Sequence, residues 1–150
     1  RRCHLSEVLP GHSQAARQSG DGVTDAVGKV LSSAKRQSFQ QAKVFKHRAQ
    51  VEAIASQCLR RLPSTCDVIV ELGAGQAVLG HSVSMVSGLP LVAIDRRSNA
   101  DAFELGEADG HVPASRRVTS DIADEDAWPQ EGRVALIAKH LCGLGSDLGV

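Results

Sequence analysis

From about residue 34 to residue 62 the apolar positions fall at helical spacing, through Phe39, Ala42, Ala49, Val51, Ile54, Cys58 and Leu62, until Pro63 stops the pattern. Basic residues lie largely between them, so one face of such a helix can pack while the other carries charge. The run from Asp67 through Val68, Ile69, Val70 and Glu71 to Leu72 is nearly continuous and β-branched, as in a strand buried on both faces of a parallel sheet. Gly73-Ala74-Gly75 breaks it. Residues 76–87 return to helical spacing with Leu79, Val83 and Val86, and Gly88 ends them. Residues 89–94 then predict a second strand closing on Asp95. A weaker helix is expected over 99–107, a short strand over 117–120 ending at Asp121, and a last strand over 134–138. Strands that alternate with helices four times over predict an α/β protein with a doubly wound, mostly parallel sheet and right-handed crossovers. Residues 1 to about 28 are rich in Gly, Ser, Gln and His, with a turn signal at Gly20-Asp21-Gly22. Residues 1–33 are therefore expected to be a linker or the remnant of an upstream region, with the folded part over 34–150.

Composition adds bounds to this picture. At 150 residues, 42% hydrophobic and 23% charged, the chain suits one globular domain with a real core. No apolar run approaches the roughly 20 residues of a membrane span, and no signal peptide opens the chain. Because it begins at Arg1 and stops at Val150, soon after the fourth predicted strand, a fragment truncated there is expected. Cys3, Cys58, Cys66 and Cys142 form no CxxC pair, which points to free thiols in a reducing compartment, cytoplasm or nucleus. The zero net charge conceals an asymmetry. Lys29, Lys35, Arg36, Lys43, Lys46, Arg48, Arg60 and Arg61 face only Glu52 in their stretch, whereas 101–131 is strongly acidic. A basic stretch of this kind can track a phosphate backbone, although on charge alone a solvated helix face is the plainer reading.

In open α/β sheets ligands bind beyond the carboxyl ends of the strands. Those ends carry Glu71 with Gly73, Ala74 and Gly75, then Asp95, Asp121 and Lys139-His140. The glycines permit a tight turn and close approach of backbone to ligand. Asp95, twenty residues beyond Gly75, is placed to accept hydrogen bonds from a ribose diol, and Asp121 to lie beside an adenine. The turn Glu71-Leu-Gly-Ala-Gly75 fits the E/D-x-G-x-G pattern of S-adenosylmethionine-dependent methyltransferases. It lacks the third glycine of the dinucleotide pattern, since position 78 is Val and the next glycine is Gly80. S-adenosylmethionine has no pyrophosphate, so the close helix approach which that glycine allows is less needed. Glu71, two residues before Gly73, can interact with the cationic aminoacyl end of that cofactor.

The segment from Ile137 through Lys139-His140-Leu141-Cys142-Gly143 to Leu148 resembles the K-H-L-C-G-x-x-T-D-L signature of eukaryotic tRNA methyltransferases that modify the ribose 2′-hydroxyl at position 4 of the acceptor stem. Val70–Gly75 is similar to that family's V-E-F/L-G-A-G turn, and Ser120-Asp121-Ile122 to its third acidic motif. The resemblance covers roughly residues 45–148. It departs at Gln76-Ala77, where Lys-Gly is common, and at Ser146, where Thr is usual.

The resemblance implies a Rossmann-like class I methyltransferase, with 34–150 the amino-terminal part of its S-adenosylmethionine-binding domain. His140 would then be the base or acceptor for the 2′-hydroxyl, with Lys139 binding the adjoining phosphate or orienting the hydroxyl. Lys43, Lys46, Arg48, Arg60 and Arg61 would contact tRNA phosphates without reading sequence. The family's zinc-binding segments are not recognisable. Cys3, His4 and His12 are three candidate ligands without a fourth, so no metal is expected here and zinc belongs only to a missing upstream region. Cys142 as a covalent nucleophile lacks a Pro-Cys context, and His47, His81 and His111 read as surface or packing residues. Two other readings stay open: a class I methyltransferase acting on a small molecule or protein, and a non-catalytic methyltransferase-like domain.

Overall fold

The computed structural model describes residues 20–32, 47–98 and 113–139. Lys43, Lys46, His140, Cys142 and the expected 99–107 helix lie outside them. Three α-helices, α1 (Gly20–Ser32), α2 (Arg48–Arg61) and α3 (Val78–Ser87), accompany four strands, β1 (Val68–Leu72), β2 (Leu91–Asp95), β3 (Ser115–Thr119) and β4 (Val134–Ile137). The strands form one all-parallel sheet in the order β3-β2-β1-β4, compatible with a Rossmann-like fold.

β1 is central because all five of its residues are buried. Its alternate side chains feed two cores. Ile69 joins Leu79, Val83 and Leu91 on the helical face, while Val68, Val70 and Leu72 join Val92 and Ile94 on the other. α3 lies on the helical face with α1 and α2 packed against it. Because α3 is surrounded, even its serines are buried, and Ser82 and Ser87 satisfy their hydroxyls on the Val78 and Ser84 carbonyls of the same helix. Gly88 closes α3 at φ 73°, its N–H donating to the Ser84 carbonyl.

Three expectations need correction. Residues 20–32 are not linker but helix α1, with Val23, Val27, Val30 and Leu31 buried in the same core as the sheet. The 3–4 spacing of those residues outweighs the Gly20-Asp21-Gly22 turn signal, which stands only at the helix start. The β3–β4 connection carries a 3-10 turn, Glu125–Ala127, rather than an α-helix, so helices do not alternate with strands throughout. There Trp128 covers the second face of the sheet with Ala127 and Ile122, its indole N–H donating to the Ile122 carbonyl at 2.8 Å. Third, β3 begins at Ser115, two residues before the expected start, because parallel pairing matches Ser115–Thr119 with Leu91–Asp95. β4 is bound at its start by Asp67, whose carboxylate accepts the Arg133 backbone N–H and guanidinium. Further along, Val134 and Leu136 remain exposed on the face opposite the helices.

Candidate functional site at the carboxyl ends of the strands

Parallel pairing brings the ends of β1, β2, β3 and β4 to one side of the sheet. The chain changes direction there, since β2 and β3 lie on one side of β1 and β4 on the other. Crevices at such a switch point are where open α/β sheets bind ligands.

The turn after β1 has Gly73 at φ 60° and Gly75 at φ 52°, left-handed values that glycine adopts without the β-carbon penalty. Asp95, at the end of β2, reaches across to this turn. Its Oδ2 accepts the Gly75 N–H at 2.7 Å and its Oδ1 the Arg97 N–H at 2.9 Å. Each oxygen keeps acceptor capacity, so the carboxylate is oriented but not saturated. Ser120 N–H donates to the Asp95 carbonyl, which ties the end of β3 alongside. Asp121 is exposed there, its Oδ1 accepting the Ala123 N–H. The turn and the acids at 95 and 121 are thus neighbours, as the spacing predicts.

Glu71 occupies a different place from the one expected. It is only 3% exposed, beneath the turn rather than in the crevice, and its Oε2 accepts the Gly80 N–H of α3 at 2.9 Å. The N-cap residue Ala77 supplies no side-chain cap, so Glu71 takes that task at the amino end of α3. Ala77 itself stands at φ 60°, ψ 26°, where the resembled family has glycine, a strain of roughly 1–2 kcal/mol for a residue with a β-carbon.

Gly80 is the residue whose role the spacing did not reveal. A β-carbon there would stand against Glu71 Oε2 and 2.8 Å from Leu91 Cδ1. The close helix approach of the dinucleotide pattern is therefore present, two residues later in the chain.

Burial pushes the Glu71 carboxyl up to about 8 from its ordinary 4.5, against the Gly80 hydrogen bond and the charges of Arg117 and Lys139. A carboxyl raised in this way stabilises the fold most when protonated. Its contribution is fully present below pH 4.5 and is lost as pH rises to about 8. Urea unfolding between pH 6 and 8 is expected to lose up to about 1.4 kcal/mol per pH unit from this group, and Glu71→Gln is expected to flatten that slope. An equal slope in the variant would refute the assignment.

No family model, no curated protein and no solved structure matches this chain. The site therefore stands on its own geometry.

Lys139 follows β4 at the crevice, partly buried, and burial pushes its amine down against the opposing pull of Glu71. The basic residues of α2 are arranged differently. Arg48 pairs with Glu52 at 2.8 Å and donates to the Thr24 carbonyl, and Arg61 donates to Gln57. Arg60 and Arg61 close α2, and the turn at Pro63–Cys66 leads from them into the start of β1. They therefore lie toward the amino end of the sheet, away from the turn, Asp95 and Lys139. Among the described residues no group of His, Cys, Asp and Glu could hold a metal ion, and no helix is long and apolar enough to cross a membrane.

Proposed function

We propose that this chain is the cofactor-binding part of a class I, S-adenosylmethionine-dependent tRNA methyltransferase that methylates a ribose 2′-hydroxyl at position 4 of the acceptor stem. The observation that carries the cofactor is the Asp95 carboxylate locked to the Gly75 amide, which presents acceptor oxygens beside a glycine turn. A ribose diol laid across the turn donates to those oxygens. Asp121, one strand further out, suits the adenine end.

At the amino end of α3 the Gly80 amide is already taken by the protein's own Glu71, which removes one of the donors that a pyrophosphate would use there. Gly73–Gly75 and the aminoacyl end of the cofactor would lie above that buried carboxyl.

The acceptor rests on the Lys139-His140-Leu141-Cys142-Gly143 string and on the placement of Lys139 at the switch point. Lys139 would hold the substrate phosphate beside the reacting hydroxyl, and His140 would accept the hydroxyl proton as the methyl moves from sulfonium to oxygen. Arg48, with Lys43 and Lys46, would extend the phosphate contact, whereas Arg60 and Arg61 would reach only a stem that wraps toward the far end of the sheet. Mass spectrometry of nucleosides from tRNA treated with the intact protein and S-adenosylmethionine tests this. A 2′-O-methylated nucleoside from the acceptor stem is the expected product. Methylation of protein or small molecules with tRNA untouched would move the assignment to another class I methyltransferase, and no transfer at all to a non-catalytic domain.

A further inference from the structure

The cations of the sheet and its helices differ in what holds them. Lys29, Arg48 and Arg133 each pair with a carboxylate at 2.8–3.0 Å, and Arg61 and Arg116 donate to the neutral oxygens of Gln57 and Ala127. Arg96 and Arg97, which leave the carboxyl end of β2, are both exposed. Their guanidinium groups have neither an ion pair nor a hydrogen bond among the described residues. Arg60 is likewise unpaired, but it closes α2 toward the amino end of the sheet.

The backbone keeps Arg96 and Arg97 at the crevice. The Arg97 N–H donates to Asp95 Oδ1 at 2.9 Å, so the chain folds back over that carboxylate as it leaves the strand. β2 and β4 flank β1, which puts Arg96-Arg97 and Lys139 on opposite sides of the glycine turn, two strand spacings or about 10 Å apart. Lys139 also has no ion pair among the described residues. Beyond β3 the sign reverses, with Asp121, Asp124, Glu125 and Asp126 in sequence. Asp121 accepts the Ala123 N–H, and Asp124 the Ser120 hydroxyl and the Asp126 N–H, so these two acids are tied to their own loop. A cationic track across the crevice therefore runs between β4 and β2 and stops there.

Adjacent guanidinium groups suit phosphate oxygens, which arginine binds through paired N–H donors. That phosphate does not belong to the ribose held by Asp95. A phosphate on either hydroxyl of the diol would remove a donor and set two negative charges together. A separate ligand with several phosphates fits both ends of the track, and a strand of RNA carries one on each side of every ribose.

We propose that Arg96 and Arg97 form a phosphate-binding rim on the β2 side of the crevice, which takes the backbone of the RNA substrate on the side of the glycine turn opposite Lys139. The inference rests on the proposed function and adds to it a second point of substrate contact, on a residue pair that follows the cofactor acid directly. The rim binds backbone and reads no base, so it positions the strand without selecting its sequence.

Binding of unmodified tRNA transcripts to the intact protein, measured by fluorescence anisotropy over a series of salt concentrations, tests this without turnover. Arg96→Gln with Arg97→Gln removes both charges and keeps the Arg97 N–H that orients Asp95. Both side chains are exposed, so the double variant is expected to fold and to bind S-adenosylmethionine as the wild type does. Its tRNA affinity is expected to fall for all sequences alike, and the slope of log affinity against log salt to become shallower by about two. A double variant with the wild-type slope and affinity, or a wild type that binds no tRNA, would overturn the rim. Phosphorylated nicotinamide dinucleotide that binds the wild type and is lost in the double variant would overturn it as well, by assigning the arginines to a cofactor phosphate. A wild type that shows the expected slope change but transfers no methyl group to tRNA refutes the proposed activity and leaves the rim standing.

Discussion

Gly80→Ala is expected to destabilise the protein by about 3 kcal/mol, the sum of overpacking and a strained buried hydrogen bond. The added methyl would meet Glu71 Oε2 and both Leu91 methyls, at 2.8 and 3.1 Å for the latter. None of these can yield cheaply. Glu71 is fixed by the Gly80 amide itself, and Leu91 is 1% exposed inside the core shared by α3 and the sheet. α3 would have to retreat from β1, which also displaces the turn that precedes it. In a domain of this size the melting temperature would fall by about 10 °C. Gly75→Ala is the control: no atom of the described residues lies within 4 Å of its would-be β-carbon, so the left-handed φ of +52° sets the cost, about 1 kcal/mol. Equal melting temperatures for the two variants would show that the close helix approach at Gly80 does not support the fold.

Asp95→Ala is expected to leave the fold largely intact and to weaken S-adenosylmethionine binding about 10–100-fold. Asp95 is only partly buried at a strand end, so its removal opens no large cavity. It does release the Gly75 amide, held at 2.7 Å, and removes the acceptors for the ribose diol. Charge-assisted hydrogen bonds of this kind contribute about 1.5–3 kcal/mol, and 1.4 kcal/mol is a factor of ten in affinity. Isothermal calorimetry on wild type and variant measures the difference. Equal affinity would mean that Asp95 orders the turn without touching the ligand.

What could be read from the sequence was what is local in the chain. β1, β2, β4 and α3 each carry their own period, so they emerged within a few residues of their observed ends. The Gly75–Asp95 pairing was also accessible, because a strand–turn–helix–strand unit of fixed length brings those two positions together. α1 was hidden by composition: its glycines and polar residues mark turns in isolation, although Val23, Val27, Val30 and Leu31 stand at helical spacing and are buried in the core that α1 shares with α3. The start of β3 was obscured by Ser115 and Arg116, polar residues whose place in the sheet follows from pairing with β2 rather than from propensity.

Gly80 and Glu71 were each visible, but their relationship was not. A helical pitch separates where a motif spacing puts a glycine from where the helix touches the strand, and that contact is a tertiary fact. Burial of Glu71 follows from the same contact, which turned an expected ligand group into a helix cap.

Titration of S-adenosylmethionine into the intact protein by isothermal calorimetry tests the central claim most directly. Saturable one-site binding is predicted, lost or strongly weakened in the Asp95→Ala variant, with no comparable binding of a nicotinamide dinucleotide. Absence of binding to folded wild-type protein, or a preference for the dinucleotide, would contradict the account.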